Sequence, residues 1–260
     1  MCRHCESASD SCRQVCHLVQ YPFPKERAVQ VVVYCHRLSD YPTRTRCSPR
    51  RGIQEYFDNY YLQDITLGNH AFGSRDLYSF LDDRPTEIIR PANYPAACPG
   101  VGYAIRRVNG LRLLCMNLSG TAFLDPLDNP FTAADRILER ERGGYEIALL
   151  DFHAEATSEK LAMGYHLDGR AQIIFGTHTH VPTADARILP KGSGYITDLG
   201  MTGPQNGILG TDAEAVLRKM RTHLPSRFTV ADGPITAQGA VFTLEDSKPY
   251  RCVRVERVEF

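Results

Sequence analysis

The chain has no excess of either charge. Its 260 residues include 30 basic and 30 acidic side chains, a formal net charge of zero. Proteins that hold nucleic acid by non-specific backbone attraction normally carry a basic surplus, so no stable nucleic-acid complex is expected. A long hydrophobic run is also missing. The longest, AVQVVVYC from Ala28 to Cys35, falls well short of the roughly 20 residues of a helical membrane span. The first residues, MCRHCESASDSCRQVCH, lack the apolar stretch of a secretory signal. These absences point to a cytoplasmic protein with no membrane association.

Glycine and lysine are scarce at one end only. Up to residue 52 the sole glycine is Gly52 and the sole lysine is Lys25. Arginine is common there, and six of the nine cysteines fall there: Cys2, Cys5, Cys12, Cys16, Cys35 and Cys47. Residues 1–52 therefore read as an atypical segment, and 53–260 as the folded domain. AVQVVVYCH resembles a strand, but little around it supports one, so strands in this segment are doubtful. The pairs Cys2/Cys5 and Cys12/Cys16, with His17, supply enough ligands for a zinc knuckle. They lie too close together for most zinc ribbons or fingers. Cys98, Cys115 and Cys252 are far apart and read as small buried packing residues.

Beyond residue 52 the local signals agree with one another. GIQEYFDNYYL reads as a short helix and QDITLG as a strand running into a loop. YAIRRVNGLRLLCMNL reads as a hairpin around Asn109-Gly110, the pair favoured in a two-residue turn. DNPFTAADRILERERGG is a punctuated helix with Asn129 as cap, Pro130 at its first position and Gly143-Gly144 as its stop. YEIALLDFH and AQIIFGTH are buried strands, and TSEKLAMGYHLDG is a helix between them. TDAEAVLRKMRTHLP suggests a helix opened by a Thr211/Glu214 capping box. SRFTVADG, ITAQGAVFTLE and YRCVRVERVEF alternate like antiparallel strands, and GMTGPQNGILG reads as a loop near the site. The fold class is α/β, a sandwich with mixed sheets and helices outside.

Three strand ends each deliver histidine: Asn69-His70 after DITLG, His153 after ALLDF, and His178 with His180 after IIFGT. Binding groups in α/β folds gather where strands give way to loops. Side chains at i and i+2 of an extended segment face one way, so His178 and His180 can address one site. Imidazoles and an amide oxygen suit Zn, Fe or Mn better than Ca or Mg. Asp151 and Asp198 read as hydrogen-bond partners or turn formers rather than ligands, and Glu155 as an orienter of histidine, a substrate contact or a helix-start carboxylate.

The order Gly-Asn-His, then His, then Gly-x-His-x-His resembles the calcineurin-like metallophosphoesterases. DITLGNHAF, DFHAEATSEKLAMG, GTHTHVPTAD and LPSRFTVADG are similar to the YmdB-like branch of that superfamily, from about residue 53 to the C-terminus. The resemblance implies an α/β/β/α sandwich and a homo-oligomer. It implies a two-metal phosphodiesterase, with Fe or Mn, that opens 2′,3′-cyclic nucleotides by a metal-bound hydroxide. It assigns Asn69, His153 and His178 to one ion and His180 to the other. His70 stands beside the scissile phosphate as general acid or charge stabiliser.

The chain departs from that family at its start. The family's first strand ends in Gly-Asp and its second in Asn-Gly-Glu-Asn; these carboxylates bind and bridge the metals. Residues 1–52 contain neither motif. Three readings follow: a frameshifted N-terminus, a divergent one using Glu6, Asp10, Glu26 or Asp40 as ligand, or loss of the first metal. The last would leave a binding or regulatory protein on an enzyme's scaffold, holding fewer ions.

Overall fold

A computed structural model describes residues 14–19, 29–37, 64–73, 75–83, 88–108 and 110–259. The strands are β1 (Gln14–Val19), β2 (Val29–Arg37), β3 (Asp64–Thr66), β4 (Ile88–Ile89), β5 (Tyr103–Val108), β6 (Leu111–Ser119), β7 (Ile147–His153), β8 (Ile173–Thr177), β9 (Arg187–Ile188), β10 (Gly194–Ile196), β11 (Thr202–Pro204), β12 (Ile235–Leu244) and β13 (Cys252–Glu259). The helices are α1 (Asp76–Asp83), α2 (Pro130–Arg140), α3 (Thr157–Leu167) and α4 (Ala213–Thr222).

One sheet has six strands in the order β5-β6-β7-β8-β10-β9. Its central strands β6, β7, β8 and β10 are parallel, so their C-terminal ends share one edge. The other sheet runs β11-β12-β2-β1-β3-β4, with β13 also paired to β12. β1 and β2 come from the segment whose strands the sequence left in doubt. Their backbones pair antiparallel from Gln14 opposite Arg37 to Val19 opposite Val32, and β2 joins β12. The rest of residues 1–52 lies outside the described residues. So do the proposed carboxylates Glu6, Asp10, Glu26 and Asp40, the cysteines Cys2, Cys5 and Cys12 of the knuckle, and the helix expected at GIQEYFDNYYL.

The period-2 alternation of β7 shows how the layers form. Ile147 and Leu149 pack between the sheets with Phe175, Phe242, Leu244 and Cys252. Ala148, Leu150 and Phe152 pack on the opposite face with Ala134 and Ile137 of α2 and Met163 and Leu167 of α3. A third cluster joins Leu77, Phe80 and Leu81 of α1 to Ile65 and Ile88 of the other sheet. Each of the buried Ile, Leu, Phe and Met side chains among these contributes about 1.5–3 kcal/mol relative to exposure. The two sheets thus stack face to face with helices outside, the α/β/β/α order.

Local signals held in most places. Asn129 caps α2, its side-chain oxygen accepting from Phe131 N at 2.9 Å and Thr132 N at 3.1 Å. Gly110 takes φ +84° at the β5–β6 turn, a left-handed conformation in which a side chain would be strained. Three expectations need correcting. The cap of α4 is Asp212, which accepts from Ala215 N at 3.0 Å; its carboxylate reaches the first-turn amide one residue beyond the expected Thr211 box. Residues Thr202–Pro204 of the presumed loop form β11 against β12, whereas SRFTVADG contributes only a bridge at Val230. Cys115 and Cys252 are buried, but Cys98 is only partly so.

At the start of β7, Glu146 clamps β6. Its carboxylate accepts from Arg112 N at 2.7 Å and from the Arg112 guanidinium at 2.6 Å. The side-chain bond to Arg112 is the main cause that holds this carboxyl down at about 2. A depressed folded pKa means stability present above the unfolded value and lost as pH falls through the folded one. Between about pH 4.5 and pH 2 the melting temperature of Glu146→Gln is therefore expected to fall less steeply than the parent's. Parallel slopes across that window would refute the clamp.

Candidate metal centre

The alternation that builds the core also builds the site. On the inter-sheet face of β7, Ile147 and Leu149 are followed by Asp151 and His153. On β6 the same face carries Asn117, and on β8 it carries Thr177; Asn117 is opposite Asp151, and Thr177 opposite His153. The core face thus turns polar where the strands end.

Asp151 is buried at the centre of this polar layer. It accepts from Thr66 Oγ1 at 2.6 Å, from Thr177 Oγ1 at 2.8 Å and from Asn117 Nδ2 at 3.2 Å. Burial pushes its carboxyl up to about 6, against the two hydroxyl bonds. With both oxygens turned to these donors, Asp151 braces the site from behind.

That bracing sets the histidine tautomers. The Thr177 hydroxyl gives its proton to Asp151, so its lone pair accepts from His153 Nδ1–H at 2.9 Å. His153 Nε2 is left as a bare lone pair. It lies 2.8 Å from Asn69 Oδ1 and 3.1 Å from His178 Nδ1. His178 directs Nε2 at Glu155 Oε2, 3.0 Å away, and turns Nδ1 towards His153. Burial above all, with the proximity of other groups that can carry positive charge (His178, His70, Lys160 and His180), holds His153 well below its ordinary pKa. Burial also lowers His178, while Glu155 opposes the shift.

Three lone-pair donors therefore converge: an amide oxygen and two neutral imidazole nitrogens. Facing acceptors repel unless a cation lies among them. Separations of 2.8 and 3.1 Å suit neighbouring ligands of one ion with bonds of about 2.0–2.2 Å. Each imidazole has its other nitrogen held by a hydroxyl or carboxylate, the usual support of a metal-binding histidine. The donor set fits a single divalent ion of the Zn, Fe or Mn type. Among the described residues, no three histidine, cysteine or carboxylate side chains close on one point; the amide of Asn69 completes the trio.

Asn69 and His70 sit in a 3-10 turn, Gly68–His70, directly after β3. Gly68 has φ +61°, and a Cβ there would lie 2.4 Å from the His153 ring. Glycine is needed for both the turn and the close approach. Asn69, His153 and His178 meet directly, whereas His70 and His180 are near enough to act on His153 electrostatically. Glu155 contacts and orients a histidine, the first of the roles expected for it. Thr66, Asn117 and Thr177 were not singled out from sequence; the signal was a polar residue on the core face at each strand end.

Two stacked sheets between helices, with the donors at strand ends of both sheets, make this a metallophosphoesterase-type sandwich. Comparison with known proteins narrows the class. The model of the YmdB-like protein family matches residues 49–258, and the chain belongs to that family. It is 49% identical over 194 residues to a 2′,3′-cyclic-nucleotide 2′-phosphodiesterase of Bacillus subtilis, covering 75% of this chain and 73% of the relative. It is also similar to the crystal structure of a hypothetical protein from Thermus thermophilus, at TM-score 0.74 and 39% identity, covering 81% of each chain. A novel phosphatase of Mycoplasma pneumoniae superposes at TM-score 0.72 with 32% identity, over 80% of this chain and 75% of that one.

Proposed function

We propose that this chain is a metal-dependent phosphodiesterase that opens 2′,3′-cyclic nucleotides. The observation that carries the reading is the meeting of Asn69 Oδ1, His153 Nε2 and His178 Nδ1, with His153 Nε2 2.8 Å from the first and 3.1 Å from the last. The 49% identical phosphodiesterase of Bacillus subtilis supports the substrate class.

In this reading Asn69, His153 and His178 hold one divalent ion, Mn or Fe, and His180 reaches towards a second. Such an ion would supply Lewis-acid charge to a phosphoryl oxygen and make water nucleophilic at neutral pH. The protein's own groups do the rest. Burial keeps His153 and His178 neutral, while Thr177 with Asp151 fixes the ring of His153 and Glu155 fixes that of His178. His70 stands on the Asn69 turn to deliver a proton to the leaving ribose oxygen, or to stabilise its charge. Relief of strain in the five-membered cyclic phosphate favours the opening. The catalytic unit is residues 53–260, acting in the cytoplasm on free nucleotides, as a homo-oligomer.

A second reading has its own support. Among the described residues every donor at the centre is neutral, with Asp151 committed to Thr66, Thr177 and Asn117. Two ions without a carboxylate ligand would leave uncompensated buried charge, which is costly. A protein holding one ion and binding nucleotide without turnover fits that set. The test is hydrolysis of 2′,3′-cyclic AMP by the full chain with added Mn2+. Turnover abolished by chelation and restored by Mn2+ supports the enzyme; nucleotide binding with no turnover supports the second reading.

A further inference from the structure

The turn between the two histidines is strained. His178 has φ +101° and His180 has φ +66°. Residues other than glycine avoid this region and remain there only when the surroundings hold them. One carboxylate does much of that holding. Asp198 Oδ2 accepts from Thr179 N at 3.1 Å and from Thr179 Oγ1 at 2.8 Å, gripping the residue between the histidines. The same oxygen accepts from Lys160 Nζ at 2.7 Å, and Asp198 Oδ1 accepts from Gly200 N at 3.0 Å.

Lys160 and Asp198 are each 1% exposed at the side chain. Lys160 comes from α3 and reaches Asp198, just beyond β10, across β8. Gly176 leaves room for it: a Cβ there would lie 2.8 Å from Lys160 Cδ. A fully buried ion pair is a poor source of stability, because desolvation offsets much of the attraction. Its residues make better sense as a fixture for something else.

We propose that the buried Lys160–Asp198 pair is a positioning device that holds the strained His178–Thr179–His180 turn in its metal-binding shape. The proposal rests on the metal site described above. Lys160 fixes the carboxylate, the carboxylate fixes Thr179, and Thr179 sets the directions of the flanking histidines.

The test uses the double variant Lys160→Met/Asp198→Asn, which removes both buried charges at nearly constant volume. Mn2+ is titrated into the metal-free full chain, with free ion read by electron paramagnetic resonance and melting temperature measured alongside. The expected result is a fold of parent-like melting temperature that binds Mn2+ about 10–100-fold more weakly. Thr179→Val, which keeps the pair but loses one of its two grips, is expected to weaken binding several-fold. Parent-like affinity in the double variant, at whatever melting temperature, overturns the proposal. So does a double variant that fails to fold while Thr179→Val binds as the parent does. A parent chain that binds no Mn2+ overturns the metal site as well, which separates the two failures.

Discussion

His153→Ala is expected to lower phosphodiesterase turnover by on the order of a thousandfold and to abolish stoichiometric metal binding. The magnitude follows from the several kcal/mol of transition-state stabilisation a bound ion provides, at about 1.4 kcal/mol per factor of ten. His153 is the hub of the centre, since its Nε2 faces both Asn69 and His178. His70→Ala separates chemistry from binding. It is expected to cost turnover about 10²–10⁴-fold, as for loss of a general acid, while metal content stays at the parent's level. Steady-state kinetics with metal analysis of both variants checks the pair of outcomes. Equal metal loss in the two would place His70 among the ligands and take away its separate role.

Asp151→Ala is expected to destabilise the fold by about 3 kcal/mol or more. Thr66, Thr177 and Asn117 all donate to its carboxylate inside the core. Each buried donor left unsatisfied costs about 1–3 kcal/mol. For a chain of this size that corresponds to a fall in melting temperature of about 6–12 °C. Metal affinity falls with it, because Thr177 no longer has a fixed acceptor and His153 loses its imposed tautomer. Asp151→Asn is milder in packing but presents one donor where two hydroxyls expect acceptors. It is expected to retain more stability than metal affinity. Calorimetry and metal titration on both variants check this, and a melting temperature unchanged in Asp151→Ala contradicts it.

The histidines were legible because strand ends can be read from period and punctuation. Ile173 to Thr177 is a buried apolar run, and the two histidines follow it at once. The same holds for His153 after Ile147–Phe152. Helix α2 was legible because Asn129, Pro130 and Gly143 act locally, through the chain next to them. What stayed hidden was long-range. Nothing near Thr66 in the sequence announces that it donates to Asp151, because the strands β3 and β7 meet only across the sandwich. Nothing near Lys160 in the sequence announces its burial, which depends on Gly176 being on the strand beneath it. The capping of α4 was missed by one residue, since Asp212 and Thr211 are both competent caps and only backbone geometry chooses between them. β1 and β2 were doubtful because arginine-rich, glycine-poor surroundings lack turn signals; the strand that β2 joins, β12, comes from the far end of the chain.

The central claim is that Asn69, His153 and His178 form a metal site on which hydrolysis depends. One measurement tests it most directly: metal bound per chain and 2′,3′-cyclic AMP hydrolysis, determined together on the full parent chain and on His178→Ala. The account predicts saturable Mn2+ binding by the parent, turnover that rises in step with occupancy, and loss of both in His178→Ala. Turnover that survives exhaustive chelation, or occupancy untouched by His178→Ala, would contradict it.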